Sequence, residues 1–206
     1  ALRQAREMAK SVSCQSNLRQ LGVANHLYIS DWDGWNVTTY GPMWLSNVVF
    51  RELAGLVPRP EDPLYAWYRA QRGYVCPASQ QAGGRYADMR QSTGINRLYK
   101  DDNPWGGQNY IPADAVQRPS DKILFIDCAG DWWAKLIVSN PLNTNNGYWT
   151  AGEDGKGIAY RHPGDKANIV FHDGHTGGLP PEEIGYDYSS KGNRYVIDTY
   201  WLVDAP

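Results

Sequence analysis

Apolar positions recur at helical spacing through the first thirty residues. Leu2, Ala5, Met8-Ala9 and Val12 mark one face, and Leu18, Leu21, Ala24 and Leu27-Tyr28 continue it past a polar interruption at Gln15-Ser16. A period of 3.6 with Arg3, Arg6, Glu7 and Lys10 placed elsewhere predicts one amphipathic helix over residues 1–30. Asp31-Trp32-Asp33-Gly34 stops it, because Asp-Gly favours a turn. The apolar stripe must lie against another surface. Because it is already under way at residue 1, with no capping residue before it, it reads as a helix that continues upstream.

Shorter patterns follow. Trp44, Val48, Val49, Leu53 and Leu56 cluster on one side of a predicted second helix over 45–56, ended by the proline-rich run 57–63. Residues 77–121 are rich in Gly, Asn, Gln and Asp and read mostly as irregular loop, a length that in a compact domain usually serves a function. Strand patterns come late: 122–127, 133–138, 157–160, 167–171 and 194–203. Pro163-Gly164-Asp165-Lys166 reads as a hairpin loop joining Tyr160-Arg161-His162 to Ala167–Phe171. A helix first and strands afterwards, without alternation, predict an α+β fold: a long N-terminal helix packed on an antiparallel β-sheet, with a loop-rich head. Residues 1–30 and 31–206 are expected to form one domain together.

Composition narrows the function classes. The 206 residues carry 20 Lys+Arg against 22 Asp+Glu, a net charge of -2 that argues against nucleic acid and against a polybasic membrane surface. Nine Trp and fourteen Tyr against three Phe favour residues with a polar handle, suited to half-wet surfaces as well as cores. No run approaches the length of a spanning helix, and no signal peptide is visible. The opening Ala1-Leu2-Arg3, without Met, is expected of a processed or truncated product. Cys14, Cys76 and Cys128 are too few for a disulfide scaffold, and none forms a Cys-x-x-Cys pair.

The densest chemistry lies late. His162, His172, Asp173 and His175 bring three of the four histidines within fourteen positions. If the hairpin sets His162 at one strand end and His172-Asp173 at the next, the four form a candidate ligand set for a divalent transition metal. The competing reading makes Asp173-Gly174 a turn, with Asp173 accepting backbone N–H groups and His162 packed on it. Asp127, after an apolar strand, is either a catalytic carboxylate or a partner for Arg161 or His162. Glu153-Asp154 and Asp101-Asp102 lack calcium-loop spacing and read as solvated turns. No nucleophile motif or phosphate loop is present, so no catalytic residue and no organic cofactor are assigned; Cys76, before Pro77, reads as buried or disulfide-bonded. Trp105 and Trp132-Trp133 serve either packing or a sugar-stacking platform.

Several of these segments, taken in order, resemble bacterial type IV pilin-like proteins. Residues 1–10 and Ser13-Cys14-Gln15-Ser16-Asn17-Leu18-Arg19-Gln20-Leu21-Gly22 look like the stretch just after that family's membrane helix. Tyr74-Val75-Cys76-Pro77, Gly94-Ile95-Asn96 and the run 119–127 match further landmarks. His162 with the block 167–175 is similar to the prepilin-processing-associated domain named for a His and a downstream Asp-Gly, with one residue more between them than that pattern has. Residues 36–73 and 129–157 carry no resemblance.

The resemblance implies a pseudopilin of the type II secretion or type IV pilus class. Its helix would continue upstream into an inner-membrane anchor, its head would stand outside the cytoplasmic membrane, and its partners would be other pilin-like subunits and the secretion or pilus machinery. It also implies that Cys14 and Cys76 could pair in an envelope compartment, stapling helix to head with about 4 kcal/mol of loop-closure stabilisation. Two other functions stay open: a surface-displayed carbohydrate- or ligand-binding module on the same scaffold, and a metal-dependent enzyme built on His162, His172, Asp173 and His175.

Overall fold

A computed structural model of the chain describes residues 1–37, 44–56, 69–79, 86–89, 92–96, 111–129, 136–137 and 157–184. Helix α1 spans Leu2–Asp31, and its end is closed by Trp32 N–H donating to the Tyr28 carbonyl. Its buried residues are Cys14, Leu18, Leu21, Gly22, Ala24, Asn25 and Tyr28, a stripe advancing by three and four. The turns before Cys14 are different. Leu2, Met8 and Val12 are 77 %, 56 % and 66 % exposed; at about 100° per residue they fall with exposed Val23 and Leu27 on the side opposite Cys14, Leu18 and Leu21. The single predicted stripe thus divides into a buried face and an exposed one, and the head-side positions before Cys14 are Glu7, Lys10 and Ser11.

The second predicted helix is divided. A 3₁₀ turn over Trp44–Ser46 precedes α2, Val48–Leu53, which starts where the Asn47 side chain accepts the Phe50 N–H. Strands β1 (Arg69–Gln71) and β2 (Tyr86–Asp88) form a small antiparallel pair. The main sheet places β3 (Thr93–Asn96), β4 (Ile123–Ala129), β7 (Ala167–Phe171) and β8 (Thr176–Leu179) side by side, antiparallel throughout. Short β5 (Leu136–Ile137) lies parallel to β3, and β6 (Gly157–Ile158) pairs with Cys128 and Ala129 at the end of β4. A final turn of helix, α3, covers Pro181–Ile184. The molecule is α+β, with its N-terminal helix laid on an antiparallel sheet.

Two expectations change. The segment read as irregular loop, 77–121, contains β2 and the sheet strand β3; Thr93-Gly94-Ile95-Asn96 has one large apolar residue and becomes a strand through its ladder to Asp127, Ile126 and Phe125. The loop Pro163-Gly164-Asp165 does turn, with His162 and Lys166 exchanging backbone hydrogen bonds at 3.1 and 3.3 Å. However, the strand before it, β6, pairs with β4, because β7 already has β4 on one side and β8 on the other. The predicted strand 194–203 lies outside the described residues, as do Asp101-Asp102, Trp105, Trp132-Trp133 and Glu153-Asp154.

Among the described residues two large core clusters lie one on each sheet face, beside a small one at Ile111 and Val116. Leu18, Leu21 and Tyr28 of α1 pack with Trp44, Phe50, Leu124, Phe125 and Val170 on one side. Ile123, Ile126, Cys128, Ile169, Phe171 and Ile184 fill the other. Trp44, Phe50 and Phe125 meet at centroid distances of 5.1–6.0 Å. Helix and sheet are closest at Gly22, where an added Cβ would lie 2.8 Å from Val170 Cγ2.

Candidate metal centre

Alternation along β4 decides which way its one carboxylate points. Side chains of a strand alternate between faces, so Asp127 shares the helix-facing side of Phe125 while Cys128 turns into the opposite core. The first buried position of the α1 stripe, Cys14, lies over it, with Sγ 3.2 and 3.3 Å from the two Asp127 oxygens. Cys76 arrives from the segment after the 3₁₀ turn Arg72–Tyr74. That turn is tied to α1 by Asn17 Nδ2 donating to the Gly73 carbonyl (2.7 Å), and the Cys76 N–H donates to Ser92 Oγ (2.7 Å). His162 comes from the tight loop before β7, and its Nε2 lies 2.7 Å from Asp127 Oδ2 and 3.5 Å from Cys76 Sγ.

Four separate segments thus deliver one donor atom each to one point. The ligand atoms of Cys14, Cys76, Asp127 and His162 all lie within 4.8 Å of one another, and no residue of the four is more than 4 % exposed. Among the described residues this is the one cluster of three or more metal-binding side chains. Asp127 also accepts the Asn168 N–H at 3.2 Å. His162 Nδ1 is buried without a hydrogen-bond partner among the described residues. This group could hold a metal ion.

The electrostatics are those of tightly packed titratable groups. Burial alone would lower the His162 pKa, but hydrogen bonds to Asp127 and Cys76 outweigh it and raise the group to about 9. The thiols move apart. The hydrogen bond between them pushes Cys14 up, with burial and the Asp127 charge adding to the rise. The same bond pulls Cys76 down against the opposing effect of burial, helped by His162 and the Arg161 charge. A Cys-His-Asp nucleophilic relay has different geometry. There the imidazole uses one nitrogen for the nucleophile and the other for the carboxylate, whereas here Nε2 faces both groups. Four donors converging on one centre suit a cation better than a proton relay.

The sequence-derived ligand set does not assemble. His162 belongs to the cysteine cluster before β7, while His172, Asp173 and His175 form the β7–β8 turn at the other end of that strand. Five residues of extended chain, each rising about 3.3 Å, keep the two ends apart. Asp173-Gly174 is indeed a turn: Asp173 Oδ1 accepts the His175 N–H at 3.0 Å and lies 2.6 Å from its Nδ1, and Gly174 has φ 89°. His162 does not pack on it. Burial works against ionising Asp173, but the His175 backbone and ring bonds prevail and hold its carboxyl below the usual range. His175 is exposed and stacks on Phe171 at 4.2 Å. His172 is buried with Nε2 unpartnered among the described residues, and burial, with the His26 charge adding to it, drives its pKa down to about 3.

Each member of the observed cluster drew notice in the sequence, Cys14 and Cys76 as a candidate disulfide and Asp127 as a candidate partner of His162. The structure brings both pairs together, the cysteines as free thiols. The period-two placement of Asp127 beneath the helical stripe position of Cys14 is the signal that would have joined the two pairs. No protein-family model, curated protein or solved structure matches the chain in comparison.

Proposed function

We propose that the chain is a pilin-like structural subunit of a bacterial secretion or pilus assembly, acting through helix–helix contact and not through catalysis. The observation that carries this reading is the division of α1. One side of it, from Cys14 to Tyr28, is sealed on the head, while Leu2, Met8, Val12, Val23 and Leu27 line the opposite side and stay 47–77 % exposed among the described residues. An exposed apolar stripe along the outer side of a helix is a surface for neighbouring helices. The resemblance of residues 1–22 to the segment following a pilin membrane helix supports the same assignment. Among the described residues no helix is long and apolar enough to cross a membrane.

The test uses the full-length natural protein in its own cell, with single cysteines at Met8→Cys or Val12→Cys and at exposed Asp114 of the head as control. Oxidative cross-linking is expected to trap copies or other helical subunits through positions 8 and 12 and not through 114. Equal trapping at all three, or none at 8 and 12, would remove the proposal.

A further inference from the structure

The cluster beneath α1 has the composition of a specific kind of metal site. Two sulfurs, an imidazole and a single carboxylate are a poor set for calcium or magnesium, which take oxygen ligands, and a good one for zinc or a similarly thiophilic ion. A zinc tetrahedron built at ordinary bond lengths has donor–donor edges of about 3.3–3.8 Å. The Cys14–Asp127 and Cys76–His162 separations, 3.2 and 3.5 Å, are already near those edges. The His162–Asp127 contact, at 2.7 Å, opens by about 0.6 Å on a small carboxylate rotation.

We propose that Cys14, Cys76, Asp127 and His162 bind one zinc ion that fastens α1 to the head. Its burial makes the site a closed, four-ligand structural one, with no position left for substrate. Two thiolates and a carboxylate around a dication leave a net negative charge, which the guanidinium of Arg161, held at the Cys128 carbonyl, offsets. The carboxylate keeps a backbone partner in the Asn168 N–H, which fixes its orientation as outer-sphere donors do. One ion would link the helix, the segment after the 3₁₀ turn, the central strand and the β7 loop. The inference stands on these four side chains and does not depend on the pilin-like reading.

The protein, purified without an affinity tag and under reducing conditions, is expected to carry about one zinc per chain by elemental analysis. Exchange with cobalt is expected to give the ligand-field bands of a tetrahedral site together with a thiolate charge-transfer band. Cys76→Ser and His162→Gln should lower metal content at least tenfold, whereas His172→Gln and His175→Gln leave it unchanged. The cobalt spectrum of the unaltered protein decides the matter even where a cluster variant does not fold. Metal-free protein that binds no added zinc or cobalt would overturn the proposal. So would a cobalt spectrum without thiolate bands, or a Cys14–Cys76 disulfide in metal-free protein taken from its natural compartment.

Discussion

His172 shows how a single buried group ties stability to pH. It is held neutral, with its pKa at about 3 against an ordinary value of 6.5, under burial and the neighbouring His26 charge, with Asp173 opposing. Above pH 6.5 both folded and unfolded chains carry it neutral, and it costs nothing. Between 6.5 and 3 the unfolded chain takes up the proton and the folded one does not, so stability falls as pH falls. From pH 6.5 to 4.5 this group should remove about 2 kcal/mol. Urea unfolding of wild type and His172→Phe at both pH values checks it: whatever offset the substitution carries at pH 6.5, the variant should lose about 2 kcal/mol less on acidification. Parallel losses would mean that the unfolded and folded pKa values do not differ. His162 has the opposite sign. Raised to about 9 in metal-free protein, it contributes there a stability that is complete below pH 6.5 and is lost as pH rises through 9.

At the scale of elements, the seam between α1 and β7 sets how close helix and sheet can come. Asn168 on β7 donates to the Ser11 carbonyl at 3.1 Å and accepts from Gln15 Nε2 at 3.1 Å, fixing the helix rotation that puts Cys14 over Asp127. Gly22, two turns on, removes the side chain that would meet Val170. Gly22→Ala gains about 1 kcal/mol of helix propensity but drives its Cβ against the stiff, β-branched Val170. A net destabilisation of about 1–2 kcal/mol is expected in thermal or urea unfolding. In a Val170→Ala background the same Gly22→Ala step should turn neutral or stabilising. A stabilising Gly22→Ala in the wild-type background would show that the seam is looser than this.

At the scale of the whole molecule, α1 belongs to the core only from Cys14 onward. Its first turns lack tertiary burial, and a short stretch of helix in water is marginal without it. Amide hydrogen exchange of the folded protein should therefore split the helix: amides of residues 5–12 exchange orders of magnitude faster than those of 18–28, which open only with the core. Uniform protection along α1 in a monomer would contradict the division.

Local signals made much of this fold legible. Period 3.6 placed the first helix at 1–30 against the observed Leu2–Asp31, and the β-branched runs placed β4 and β7 within two residues. Strand β3 was hidden because Gly94 and a lone Ile95 carry no alternation, and only the exposed ladder of β4 makes them a strand. The candidate site was legible residue by residue and not as a set. Nearness in sequence suggested grouping His162 with His172, Asp173 and His175, yet an intervening strand holds its two ends apart.

The amino-acid sequence by itself determined the extents of α1, β4 and β7, since these depend on neighbours a few residues away. Only tertiary packing decided that the buried stripe of α1 begins at Cys14, that β3 joins the sheet, and that two thiols, a carboxylate and an imidazole from distant segments share one centre. The physical reason is range: propensity and periodicity act within a turn or a pleat, whereas a site such as this exists only once the helix has closed on the sheet.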